Sequence, residues 1–173
     1  MLGGAENRSL RHSHGMPLLP TRRNQRLPEF DYAASRWYFV TVCAEGMRCL
    51  FGDVTNEKVH LLQAGRIVDR GWNELSGRFT RVMLDEYIVM PNHLHGILVL
   101  LDCGERVSLS RIIGAFKSIS AIEINRLHAR PGRKVWQRSF FDRILRNQEE
   151  LEAARRYIRD NPRRWALRQM STL

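Results

Sequence analysis

Two short segments of this chain contain residue types at spacings that could do chemistry. In MPNHLHGILVL, His93 and His95 are two residues apart inside an apolar run. Side chains alternate faces on an extended strand, so His93, His95, Ile97, Val99 and Leu101 share one face, while Leu94, Leu98 and Leu100 take the other. Two neutral imidazoles so placed can hold one divalent cation when a third group completes the site. The same spacing also fits two partly exposed histidines that hold nothing.

In RRYIRDNP, Tyr157 and Asn161 are four residues apart. On a helix they lie one turn apart on the same side, so a hydroxyl and an amide oxygen face one place. Leu151, Ala154 and Ile158 supply the apolar stripe of that helix. Tyr157 sits at the stripe's edge, from which it can reach across a sheet face towards the histidines. Taken alone, it also reads as a rim tyrosine.

These residues need a scaffold, and the periodicity describes one. WYFVTVC, from Trp37 to Cys43, is aromatic and β-branched and predicts a buried strand. Leu61, Ala64, Val68, Trp72 and Leu75 recur at helical spacing between Leu61 and Phe79. Val82 to Met90 and His93 to Leu101 are extended apolar segments joined by Pro91 and Asn92, which predicts a hairpin. A second helix follows Ser108 and Ser110, with Leu109, Ile112, Ile113, Phe116 and Ile119 on one face, and runs towards Leu127.

Pro131 and Gly132 then break the chain, and Trp136 to Leu145 supplies a fourth strand. Asn147 is placed to cap a last helix with Glu149, Glu150 and Glu152 near its start, and Pro162 is expected to stop it. The order β-α-β-β-α-β, then α, is the split βαβ arrangement of an α+β protein, with two helices on one face of an antiparallel sheet.

Composition limits the function classes. The 173 residues, 43% of them hydrophobic, are enough for one core. They divide into a basic arm over residues 1–28 and a single domain over 29–173. The formal charge is +10, and among 28 basic residues only Lys58, Lys117 and Lys134 are lysines. Guanidinium forks match phosphate oxygens and stack on bases, so the bias suits a nucleic-acid partner. A genome of high GC content would also enrich arginine. The longest apolar stretch, Ile97 to Leu101, is too short to span a bilayer, so no membrane association is expected. The arm lacks the apolar segment of a secretory signal, and Cys43, Cys49 and Cys103 form no C-x-x-C pair. A cytoplasmic location is the simplest expectation.

The two motifs together resemble the HUH single-tyrosine transposases, especially the REP-associated tyrosine transposase branch. There MPNHLHG is the metal-binding motif and YIxxNP carries the nucleophile. YFVTVCAEGMRCLFG, AGRIV, GAFKS and VWQRSFFDRILRN follow that family in the same order, over roughly Arg22 to Leu167. The resemblance implies a ferredoxin-like HUH fold, with His93 and His95 as metal ligands and Tyr157 as nucleophile. It makes Asn161 a further metal-facing residue, a position where better-known relatives often have glutamine.

The implied reaction is cleavage and rejoining of single-stranded DNA with Mg²⁺ or Mn²⁺. The ion would polarise a phosphate oxygen while Tyr157 attacks phosphorus, leaving a 5′-phosphotyrosine that a 3′-hydroxyl can later attack. Hairpin-forming repeats are the expected DNA. Arg155, Arg156, Arg159, Arg163 and Arg164 are expected around the site, with Lys117 and Arg111 on the second helix and Arg22 and Arg23 on the arm as further contacts. The chain could act as a monomer or a homodimer. Two other readings stay open: a non-catalytic single-stranded nucleic-acid-binding module, and a metal-dependent nuclease that uses water.

Overall fold

The structure is a computed structural model that describes residues 36–102 and 107–170. The expected basic arm over residues 1–28, with Arg22 and Arg23, lies outside the described residues.

The main sheet is built from β1 (Arg36–Cys43), β4 (Val82–Met90), β5 (His93–Leu100) and β6 (Phe141–Leu145), in the order β4-β5-β1-β6. All neighbours are antiparallel. This is the expected α+β split βαβ topology, which brings β1 and β5 to the centre. Helices α1 (Gln63–Asn73) and α3 (Leu109–Leu127) cover one face. Tyr38, Val40 and Val42 of β1 and Leu94, Leu98 and Leu100 of β5 meet Ala64, Val68 and Trp72 of α1 and Ile112, Ile113 and Phe116 of α3 in the main core. The period-2 pattern of the strands and the 3.6-residue pattern of the helices meet there, as burial requires.

The other face carries a smaller apolar cluster. Ile97 and Leu145 from the sheet meet Leu151 and Ile158 from α4 (Gln148–Arg159), with Trp37, Phe39, Ile88 and Ala154 packed against them. The sheet is therefore covered on both sides, and every residue of β5 is buried. A Cβ added at Gly96 would overlap the Trp72 indole, so Trp72 lies directly on the β5 backbone.

Several element boundaries differ from the periodicity reading. Leu61 ends a strand instead of opening a helix. β2 (Gly52–Thr55) and β3 (Lys58–Leu61) form a separate hairpin ahead of α1. Asn56 and Glu57 turn it with φ of 51° and 60°, the left-handed pair of a two-residue hairpin. The expected helical stripe then splits, with Ala64, Val68 and Trp72 buried on α1 and Leu75 on α2 (Leu75–Arg78).

The buried face of α3 runs through Ser120 rather than Ile119, because Ser120 donates to the Phe116 carbonyl at 2.7 Å and accepts from Trp136 Nε1 at 3.0 Å. The fourth strand is shorter than Trp136 to Leu145. Trp136 makes only an isolated bridge to Ala44, and its ring instead packs between Phe51 and Phe116.

β4 contains a bulge between Leu84 and Tyr87. Before it, Val82 and Leu84 face the main core; after it, Tyr87 and Val89 do. The extra residue switches the parity, so the polar pair Asp85 and Glu86 falls at the bulge itself. No helix of the described residues is long and apolar enough to cross a membrane.

Candidate active site

β5 ends the hairpin with both histidines on the face opposite the main core. His93 and His95 are 9% and 3% exposed, and their rings stand 4.5 Å apart at 71°. Each is held by a partner at Nδ1. Asn92 Oδ1 lies 2.7 Å from His93 Nδ1, and Thr41 Oγ1 lies 2.8 Å from His95 Nδ1. The antiparallel register sets Thr41 directly opposite His95. Asn92 Nδ2 donates to the Met47 carbonyl at 3.1 Å, which fixes the amide's orientation. Its oxygen must then accept, so His93 carries its proton on Nδ1 and presents Nε2 as a lone pair.

α4 begins at Asn147, whose Oδ1 accepts from Glu150 N at 2.8 Å, and buries Leu151 and Ile158. That docking leaves Tyr157, half-buried, against the histidines. Its ring is 5.2 Å from that of His95 at 72°, and 5.9 Å from that of Phe39. Phe39 stacks on His95 at 5.3 Å, so one aromatic buttresses both.

α4 ends at Arg159, just ahead of Pro162 as expected, but Pro162 also lies in the first turn of a further helix, α5 (Asn161–Met170). Proline in a first helical turn loses no bond, since its N–H would have had no partner. Asp160, between the two helices, keeps α-region dihedrals and its carbonyl accepts from Arg164 N at 3.0 Å. Asn161 therefore remains one turn from Tyr157. It is buried, and its side chain lies close enough to His93 to favour the charged form of that ring.

The electrostatics keep both imidazoles neutral. Burial first, then the Arg168 charge, push His93 down to about 4, opposed by the Asn161 side chain, which favours the charged form. Burial, His93 and Arg168 hold His95 well below its ordinary value. Neutral imidazoles are the ligating form. Among the described residues no group of three or more His, Cys, Asp or Glu side chains could hold a metal ion. A cation here would need His93, His95 and an oxygen from Asn161 or from substrate. That donor set suits a divalent ion with open positions.

The structure thus brings His93, His95, Tyr157 and Asn161 together. The expected DNA contacts are dispersed. Arg155 donates to both carboxylate oxygens of Asp85, at 2.9 and 2.6 Å, and to Glu152 at 2.7 Å. Arg159 pairs with Glu86 at 2.8 Å, and Arg163 with Glu57 at 3.8 Å. Arg156 is exposed on α4. Lys117 and Arg111 lie on α3, across the sheet from the histidines, and Lys117 donates to the carbonyls of Gln137 and Arg138.

Sequence reasoning missed Asn92, Thr41 and Phe39, and it missed α5 altogether. Asn92 stood within the histidine motif. Thr41 could have been found only by pairing WYFVTVC with the histidine strand in the right register.

Comparison with known proteins bears on the fold and the family. An uncharacterized protein of Haemophilus influenzae is 31% identical over 162 residues, 83% of this chain and 89% of that one. A solved structure of a REP-associated tyrosine transposase bound to a REP hairpin superposes with a TM-score of 0.56 at 19% identity, covering 75% of this chain and 67% of that one, and so shares the fold. The family described as "Transposase IS200 like" matches residues 74–161, a span that holds both histidines, Tyr157 and Asn161. The chain belongs to the IS200-like transposase family.

Proposed function

We propose that this transposase cuts and rejoins single-stranded DNA by transesterification, with Tyr157 as the nucleophile and hairpin-forming repeats as its substrate. The observation that carries the reading is the contact of the Tyr157 ring with His95 beside two neutral, Nδ1-anchored imidazoles.

His93, His95 and Asn161 would hold Mg²⁺ or Mn²⁺, which supplies charge neutralisation on a non-bridging phosphate oxygen. The Tyr157 Oη attacks phosphorus, the P–O3′ bond breaks, and the phenolic proton passes through solvent to the departing 3′-oxygen. The new diester links Tyr157 to the 5′ end. A 3′-hydroxyl reverses the step without a nucleoside triphosphate, because one phosphodiester replaces another. Asn92 holds the His93 tautomer, Thr41 anchors the His95 ring at Nδ1, and Phe39 keeps the tyrosine ring beside His95.

A single strand can bring its phosphodiester into contact with buried histidines, whereas a duplex would first have to open. The solved relative bound to a REP hairpin supports a DNA partner of that shape. The arginine-rich composition supports phosphate contact. Arg156 and Arg164 are the arginines of the catalytic helices left unpaired among the described residues. A cytoplasmic place of action belongs to the same reading.

Incubation with Mn²⁺ and end-labelled oligonucleotides that fold into imperfect hairpins tests it. Denaturing gels should show a protein-linked strand for the wild type and none for Tyr157→Phe. Cleavage that persists in Tyr157→Phe would favour a water-using nuclease. Tight binding without cleavage would favour a binding module.

A further inference from the structure

α5 closes the nucleophile side of the site and brings polar groups to it. The Arg164 guanidinium stands 5.1 Å over the Tyr157 ring. Unlike Arg155, Arg159 and Arg163, it makes no ion pair among the described residues. Beside it, the Trp165 ring lies 6.0 Å from that of His93. Trp165 Nε1 is buried with no hydrogen-bond partner, a costly state for a donor unless something else accepts from it. The Arg168 charge also reaches both imidazoles. One helix thus sets donors and positive charge beside Tyr157 and His93, and an acceptor-rich anion is the complementary ligand.

We propose that Arg164 is a further catalytic residue, holding a non-bridging oxygen of the scissile phosphate over Tyr157. The inference rests on the transesterification reading above. A guanidinium can lie on an aromatic ring by its face and still donate from its edge, so stacking on Tyr157 leaves its phosphate-binding fork available. The fork is thereby set over the ring that carries the attacking phenol.

The charge accounting favours a permanent cation there. The DNA diester carries one negative charge and the phosphotyrosine diester carries one. Between them, as Tyr157 Oη bonds to phosphorus and the P–O3′ bond opens, charge builds on the non-bridging oxygens. A fixed donor beside those oxygens is matched to both stable states and binds the intermediate arrangement most strongly, which is what accelerates a reaction. The same contact serves the return attack by a 3′-hydroxyl.

The test compares wild type, Arg164→Ala, Arg164→Lys and a charge control, Arg126→Ala, an exposed position on α3 across the sheet. The probe is an end-labelled single-stranded oligonucleotide with an imperfect hairpin, in Mn²⁺. Single-turnover adduct formation is read at saturating DNA, and affinity is read separately by fluorescence anisotropy. Arg164→Ala should lower the adduct rate by about 100- to 1,000-fold, the usual loss for one transition-state donor. Arg164→Lys should recover part of it, with affinities within a few-fold of Arg126→Ala. Arg164→Ala reacting at the wild-type rate, or losing only affinity, overturns the assignment while leaving Tyr157 chemistry intact. No adduct even from the wild type overturns that chemistry and the assignment with it.

Discussion

Asn92 accepts from His93 Nδ1 at 2.7 Å while donating to the Met47 carbonyl at 3.1 Å, and the second bond decides the direction of the first. An amide fixed this way locks the imidazole in the tautomer that exposes Nε2. Asn92→Ala should therefore weaken Mn²⁺ binding by roughly 10- to 100-fold, the usual consequence of losing a partner that orients a ligand. Isothermal titration calorimetry checks this, and unchanged affinity would show that Asn92 does not govern the tautomer.

The buried histidines predict a pH dependence. His93 sits near pH 4 and His95 is well below its ordinary value, both chiefly through burial. An unfolded chain protonates histidine near pH 6.5. Between about pH 6.5 and 4 the unfolded state takes up protons that the folded state refuses, so without added metal stability should fall as pH is lowered across that window. Urea unfolding of wild type against His93→Gln measures it. A wild-type profile no steeper than the variant's would contradict the burial argument.

Asp85 and Arg155 fasten the tyrosine helix to the β4 bulge. The bidentate hydrogen bond from Arg155 lowers the Asp85 pKa despite partial burial. A depressed carboxylate stabilises the fold above its unfolded value near 3.9 and loses that contribution as pH falls through its folded value. Asp85→Asn should cost about 1–3 kcal/mol at neutral pH and slow adduct formation. In urea titrations the difference from wild type should shrink as pH falls from the unfolded value near 3.9 through the lowered folded value of Asp85. A difference that persists there would assign the loss to something other than the charge.

The elements that carry strong periodicity were legible in the sequence. The alternation in HLHGILVL placed His93 and His95 opposite Leu94 and Leu98, and the Tyr157–Asn161 spacing survived a change of helix because Asp160 keeps α-region dihedrals. The features that depend on contacts distant in sequence were not legible. Arg155 reads as a solvated helical arginine until Asp85, seventy positions earlier, is known to face it. The bulge that places Asp85 left one trace, the parity change between Leu84 and Tyr87 in VMLDEYIVM. Pro162 marked the end of α4 because proline breaks helix interiors, but the same residue is tolerated at a helix start, so α5 behind it left no signal.

Gly96 should tolerate no side chain, since a Cβ would enter the Trp72 indole beneath His95. Gly96→Ala should destabilise the fold by about 1–3 kcal/mol, the range for overpacking a filled core. Chemical denaturation measures the loss. Wild-type stability in this variant would mean that Trp72 does not rest on the strand as described.

The measurement closest to the central claim is mass spectrometry of protein trapped with Mn²⁺ and a single-stranded hairpin oligonucleotide, then digested with nuclease and protease. The account predicts a 5′-phosphodeoxynucleotide on the peptide containing Tyr157, absent without DNA. Cleaved DNA with no modified peptide, or a nucleotide attached to another residue, would contradict it.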